Sequence, residues 1–382
     1  MASPKLSPPA REERVPWLDA ARALAILSVT CNHAFILAYP AMRNMKDYYQ
    51  AASLPISGAA ALFFVFSRLG VPLFLMISGA LLLDRDYTKP GALKRFYTHN
   101  WLRLLLVTEL WNVLIYLVFP LIYGFFGPRP GLRALLTNLG KALLFLNADD
   151  VGSRWYMAMI LCVYPLIPPL AAALRRLPGK AFLLPGLAVV IFAFLIPNVN
   201  TALEAAGLKL QLNASVTAAY LLPVYVLYLV LGYYLDRGLL ANRSVWFLVP
   251  GFALSFLATG LFQLWIFSAG TGYGVRYADL GILVSSVFLF ALLRRIRAGR
   301  LLRGIPARVT ASCALGIFFL HIPLIRYCVT LPFHRVLSTY VFRYFLILWA
   351  AGFFGSLLVV WLTGKLPLVG KWLYLMRPRK KD

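Results

Sequence analysis

Acidic residues are scarce in this chain: 13 Asp and Glu stand against 38 Lys and Arg in 382 residues, a net charge of +25. So few carboxylates form no cluster for metal-assisted or carboxylate general-base chemistry. Cysteine is sparse too. The four, Cys31, Cys162, Cys313 and Cys328, lack the close paired spacing of a zinc site or redox motif, and all lie in apolar segments. They read as small buried hydrophobes with no disulfide framework and no metal site. A phosphate-cradling glycine loop and a serine elbow are also missing, "GTGYG" at Gly270 to Gly274 being a short outer turn without the strand and helix a nucleotide loop requires. Long polar stretches are absent, so no soluble domain interrupts the chain.

Apolar sequence fills the space instead. With 61% hydrophobic and 13% charged residues and a mean hydropathy of +0.76, the chain is an integral membrane protein by composition. Runs near the roughly 20 residues that cross a bilayer lie at 17–39, 59–83, 101–126, 155–174, 181–197, 217–235, 245–268, 277–293, 309–330 and 340–363. The expectation is an all-α bundle of ten spans, 17–363, between an N-terminal tail (1–16) and a basic C-terminal tail (364–382). The opening "MASPKLSPPAREERVP" is polar and proline-rich, and the run after it is too long and too charged for a cleaved signal peptide, so it stays as the first span.

Most of the 38 cations fall in the tails and alternate loops of one side, which the positive-inside rule assigns to the cytoplasm together with both termini. That distribution also explains the net charge through topology and contact with anionic membrane lipid, and nucleic acid is not an expected partner. Five cations, Arg22, Arg68, Arg103, Arg326 and Arg343, fall inside spans. A charge at membrane depth costs about 2.5–3.5 kcal/mol on insertion scales, so each needs a reason.

The first span, "LDAARALAILSVTCNH", carries three ionisable groups. His33 follows Arg22 by a rotation of about 1100°, about 20° from eclipsed, and Asp19 precedes Arg22 by one turn. All three share a stripe that must face protein or water. His33 lies roughly 16 Å beyond Arg22 along the axis, so Arg22 belongs to the cytoplasmic half and His33 to the outer half. One reading is an interfacial Asp19–Arg22 pair with a hydrogen-bonded packing histidine; the other is a functional polar seam.

The second span returns inward and places Arg68 near the level of His33. Its Ser78 and Gly79 form a close-packing patch. The ninth span, "LGIFFLHIPLIRY", brings His321 and Arg326 toward the outer end. Arg95 and Arg103, in "KRFYTHNWLRLL", either snorkel to headgroups or grip phosphate. Trp155 and Tyr156 are either an interfacial belt or a shelf for a sugar ring. Glu109 and Asp279 are acids that can balance an arginine.

In their order these segments resemble acyltransferase family 3. "WLDAARALAILSVTCNH" is similar to the opening of that family, with an Asp, an Arg and, eleven residues later, a His. "SRLGVPLFLMISGALLL", "KRFYTHNWLRLL", "RWYMAMILCVYPLIPP" and "LGIFFLHIP" match its later segments, although Ala80 replaces a commonly bulky residue and "FFLH" an aromatic-Leu-Ile-His. The resemblance covers nearly the whole chain, including its ten helices.

It implies transfer of an acyl group, most often acetyl from acetyl-CoA, to a hydroxyl of a cell-envelope sugar in a bacterial cytoplasmic membrane. Acetyl-CoA is then a substrate, with no permanently bound cofactor, and the acceptor is an exopolysaccharide, an O-antigen or a lipid-linked oligosaccharide. Under that implication His33 is a general base, Arg68 stabilises an oxyanion, and His321 belongs to the catalytic group. Arg22, Asp19, Arg95 and Arg103 hold the donor, and Trp155, Tyr156 and Arg326 the acceptor. A proton-coupled transporter, with His33, Arg68 and His321 along its path, and a polyprenol-linked glycosyltransferase are the other classes. Neither matched broken helices nor an acidic cluster supports them.

The charge asymmetry yields a direct expectation. A fluorescent protein that folds only in the cytoplasm should be bright when fused after Asp382, and alkaline phosphatase at the same site inactive; the reverse pattern would overturn the orientation.

Overall fold

The structure, a computed structural model, describes residues 15–39, 53–124, 131–145, 154–210, 212, 224–271, 274–295, 305–330 and 341–376. The tail through Arg14, the Gly272–Tyr273 pair, the side chain of Cys328 and the last six residues lie outside them. The protein is an all-α polytopic membrane protein. Its helices are α1 (Pro16–Ala38), α2 (Leu54–Leu82), α3 (Ala92–Tyr123), α4 (Leu132–Leu143), α5 (Trp155–Arg176), α6 (Gly179–Ala205), α7 (Val224–Asp236), α8 (Val245–Ala269), α9 (Leu280–Arg295), α10 (Pro306–Tyr327), α11 (Val341–Thr363) and α12 (Pro367–Trp372). Eight of these are long and apolar enough to cross a membrane, and α7 and α9 are shorter helices at the two remaining expected spans.

α1 is the hub. Its small residues Ala20, Ala21, Ala25 and Ala34 are buried, and they let α2, α9, α10 and α11 approach it, whereas α6 and α8 lie at the periphery. α2 is broken at Arg68–Leu69 for a local reason. Pro72 has no N–H to return to the Arg68 carbonyl, and the chain tightens so that the amides of Arg68 and Leu69 bond to the carbonyls of Val65 and Phe66 at 3.0 and 3.1 Å. Ser28 of α1 also donates to the Phe66 carbonyl at 2.7 Å, supplying a polar partner where lipid offers none. Gly70 permits this close approach, because a Cβ there would sit 2.5 Å from the Ala25 carbonyl oxygen.

The register of α5 against α3 comes from two bonds. Trp101 donates to the Leu161 carbonyl at 2.8 Å and the Tyr97 hydroxyl to that of Pro165 at 3.2 Å. The two bonds make the pair antiparallel. Between the expected spans 101–126 and 155–174 the described residues include a further helix. α4 folds back along α3, burying Leu135 and Ala142, and the Asn112 side chain donates to the Ala142 carbonyl at 3.4 Å. A helix ending at membrane depth must have its last carbonyls met by protein, and Asn112 does this for one of them.

After the last span, which ends at Thr363, the segment that follows still packs on the bundle: Trp111 donates to the Leu373 carbonyl at 3.0 Å, and the Tyr374 hydroxyl meets Thr363 at 2.8 Å. Aromatic bulk explains this, since Tyr374 is buried beside Trp111. One expectation is corrected: Cys162 is exposed, whereas Cys31 and Cys313 are buried, because α5 turns that face away from its neighbours.

One end of the bundle carries a charged rim, here the basic face. Arg237 pairs with Asp84, Arg294 with Asp236 at 3.0 Å, and Arg175 with Asp86 at 3.8 Å. Such exposed pairs add little stability each but tie α2, α5, α7 and α9 together. Beneath them Tyr87 donates to the Leu82 carbonyl at 2.9 Å, and burial pushes its hydroxyl up to about 12, so it remains a neutral donor.

The tightest crossing is that of α2 with α7. A Cβ at Gly79 would lie 1.9 Å from the Leu229 carbonyl oxygen, and one at Gly232 would lie 2.1 Å from that of Met76, so the small residue at 79 is a packing device, as its sequence context indicates. Gly79→Val should destabilise the protein by about 1–3 kcal/mol or more through overpacking, lowering the temperature at which it aggregates in detergent. Gly58→Ala, where nothing lies within 4 Å, should leave that temperature unchanged.

Candidate active site

The polar stripe on α1 is turned inward. Asp19 and His33 are buried, and Asp19 pairs with a half-buried Arg22 at 3.7 Å. Between them Thr30 and the Leu27 carbonyl both receive Trp349 of α11, at 3.2 and 3.1 Å. Buried polar groups on this helix thus meet partners from α2 and α11.

His33 meets His321 of α10. His33 Nδ1 lies 2.8 Å from His321 Nε2, with ring centroids 4.9 Å apart, and both side chains are buried. His321 Nδ1 lies 2.8 Å from the carbonyl of Ile317, one turn back. Residues 288 positions apart become one hydrogen-bonded pair. At the crossing α11 offers Gly352, whose missing side chain leaves room for Ile325 of α10.

Arg68 leaves the break in α2 and lays its guanidinium over two rings, 4.5 Å from the centroid of Phe64 and 5.4 Å from that of Tyr277. Its Nε is buried without a hydrogen-bond partner among the described residues, and no described carboxylate pairs with it. The guanidinium is close enough to act electrostatically on the His33 ring. Its backbone sits further toward the basic face than the expected level with His33, because α1 and α2 pair Ser28 with Phe66; the long side chain spans the difference. A cation held by aromatic faces alone retains donors for a ligand.

Tyr277 is fixed from behind. The Tyr228 hydroxyl donates to the Tyr277 carbonyl at 2.7 Å, while Asp279 caps α9 through the Gly281 amide at 2.8 Å and accepts from Asn198 at 3.0 Å. Asp279 therefore serves as a helix cap. Glu109 likewise accepts from Asn112 at 3.1 Å, and neither acid balances an arginine among the described residues.

Aromatic side chains join Arg68 to the histidines. Trp155 lies 5.3 Å from Tyr277 and 6.0 Å from Tyr225, Tyr156 lies 5.5 Å from Phe318, and Phe318 lies 6.4 Å from His321. Trp155 keeps 37% exposure, so this wall has an open face. Tyr156 thus packs inward against Phe318 at the end of α5, while Trp155 lies against Tyr225 and Tyr277 with one face open.

Toward the basic face a second polar group surrounds Arg22. Ser78 donates to the Phe74 carbonyl at 2.9 Å, which leaves the Tyr164 hydroxyl to donate to Ser78 at 3.2 Å. Tyr164 lies within electrostatic range of Arg22 and Arg85. Arg95 is exposed beside Phe96, which packs toward Tyr164 at 6.5 Å. Arg103 instead donates to the Lys371 carbonyl at 3.3 Å, and Arg326 is exposed at the far end of α10.

The structure thus gathers His33, His321, Arg68, Trp155 and Tyr156, and separately Arg22 and Asp19. Sequence reasoning missed Tyr277, Tyr164 and Ser78 as members of these groups. The signals were an aromatic residue just before a capped helix, and "YPL", whose proline imposes the 3₁₀ turn at Tyr164–Leu166. Among the described residues no group of three or more His, Cys, Asp or Glu converges as a metal site.

Two polar centres therefore sit at different depths on one helix, one with paired imidazoles beside a cation, the other arginine-rich and open to the basic face. The acyltransferase family 3 model, described as an acyltransferase domain, matches residues 15–365. No curated protein and no solved structure matches the chain.

Proposed function

The chain belongs to acyltransferase family 3, a membrane acyltransferase by that membership, and we propose that it moves acetyl from acetyl-CoA to a sugar hydroxyl of an exopolysaccharide, O-antigen or lipid-linked glycan precursor. Membership sets aside the transporter and glycosyltransferase readings. The observation that carries the finer proposal is the buried His33–His321 pair, with Arg68 next to Ser67, whose hydroxyl reaches Asn32, the residue before His33, at 3.4 Å.

In this reading His33 accepts the proton of the acceptor hydroxyl as its oxygen attacks the thioester carbonyl. The new C–O bond leaves an oxyanion, which Arg68 stabilises with donors that no described carboxylate neutralises. The oxyanion collapses, the C–S bond breaks, and the departing thiolate takes the proton from His33 to leave as the thiol of coenzyme A. No proton is left over, and the pair returns to its starting state.

The donor approaches from the basic face. Arg22, Arg95 and Arg85 supply charge for the phosphates, Asp19 holds Arg22 in place, and the Tyr164 and Ser78 hydroxyls add donors. Roughly 16 Å separates Arg22 from His33 along α1, a gap for the pantetheine arm to bridge. Arg103, engaged by the Lys371 carbonyl, contributes to the donor site through the field it adds there. The acceptor sugar stacks on the open face of Trp155, with Tyr156 behind it, and Arg326 guides an anionic glycan from the far end of α10. The enzyme works in a bacterial cytoplasmic membrane with both termini inside, among membrane lipids.

The experiment is a count of O-acetyl groups by NMR on the surface polysaccharide of a strain lacking this chain, restored with wild type or an equally expressed His33→Ala variant. Wild type alone should restore acetate. Restoration by both variants would remove His33 from the chemistry, and restoration by neither would sink the acetyl-glycan proposal.

Removing donor contacts should separate binding from turnover. Arg22→Ala should raise KM for acetyl-CoA roughly tenfold or more, the loss expected for a charge-assisted hydrogen bond to phosphate, while KM for the acceptor stays put. An unchanged donor KM would place the phosphates elsewhere.

A further inference from the structure

We propose that His321 is a positioning residue that sets the tautomer of His33, an inference that rests on His33 being the base. It follows from hydrogen-bond direction along three groups. A carbonyl oxygen can only accept, so the Ile317 carbonyl, 2.8 Å from His321 Nδ1, requires the proton of a neutral His321 to be on Nδ1. His321 Nε2 is then a bare lone pair. His33 Nδ1, 2.8 Å away, must donate to it, which places the proton of neutral His33 on Nδ1 and leaves its Nε2 unprotonated. His33 Nε2 is therefore the atom that accepts the acceptor's proton.

The arrangement also limits where that proton can go. Once His33 carries it, Nδ1–H still donates to a neutral His321, whose own Nδ1 faces a carbonyl that cannot take a proton. The charge stays on the pair, and the thiolate of coenzyme A takes it back from His33 Nε2. His321 orients and stabilises in this step without touching substrate, the same logic by which an outer partner orients a working histidine elsewhere. The carbonyl of Val29, one turn below His33, lies near its ring as well, and it is the competing cause of the same tautomer.

The chain has four histidines, His33, His99, His321 and His334, few enough for selective labelling. The full-length protein, with ¹⁵N-histidine and in lipid nanodiscs, would be examined by long-range ¹H–¹⁵N correlation, the ring signals being assigned from His33→Ala and His321→Ala. Wild type should show His33 protonated at Nδ1 and bare at Nε2. His321→Ala should mix or reverse that pattern, and His321→Gln, whose amide oxygen can accept from His33, should keep it. An unchanged tautomer in His321→Ala would mean that Val29 suffices, and would overturn the proposal.

Turnover gives the second readout. His321→Ala should lower kcat roughly 10–100-fold, as removal of an orienting partner does, with both KM values nearly unchanged, and His321→Gln should recover to within a few-fold of wild type. Gln as inactive as Ala would make His321 a proton-transferring group; Leu as active as Gln would make it a packing residue; either contradicts the proposal. If His33→Ala retains turnover, the base reading fails, while the tautomer spectra still decide what His321 does to His33.

Discussion

A histidine ring placed inside a bilayer has nowhere to send its polar atoms except to other protein groups, because lipid offers neither donors nor acceptors. That constraint runs through the site. His33 on α1 turns to His321 on α10, His321 turns to the carbonyl of Ile317 one turn back, and two helices far apart in sequence are locked at one level. The close packing of α1 by its alanines, the break in α2 and the glycine of α11 all serve to bring these groups within reach.

Arg68 obeys the same rule differently. Its charge is met by the faces of Phe64 and Tyr277, contacts that ease burial without using up its hydrogen-bond donors. A carboxylate partner would make the bundle easier to fold and the cation less able to meet a developing negative charge. The scarcity of acids, the first feature of the sequence, thus has a chemical counterpart at the site.

Much of this was legible beforehand. Apolar runs located the spans, and the spacing of Asp19, Arg22 and His33 marked one stripe of α1, because helical rotation is fixed by geometry. What could not be read was which distant residue completes each polar group. Nothing local in "FFLH" specifies that His321 will meet His33, and nothing in the glycine-rich turn before Asp279 specifies that Tyr277 will cover Arg68. The fold-back of α4 escaped because a short helix of mixed leucines and polar residues resembles an outer loop unless its contacts with Asn112 are known. The C-terminal segment escaped because its lysines suggested a tail, while Trp111 and Tyr374 bind it to the bundle.

The claim on which the rest depends is that a thioester is opened at the His33 level of the bundle. The most direct measurement is release of free coenzyme A from acetyl-CoA by the purified full-length protein in nanodiscs, with and without a lipid-glycan extract from its host. Wild type should release it only when the extract is present, and His33→Ala should release none above background. Equal release by both proteins would contradict this account, since the thioester would then be opened without the imidazole around which the site is built.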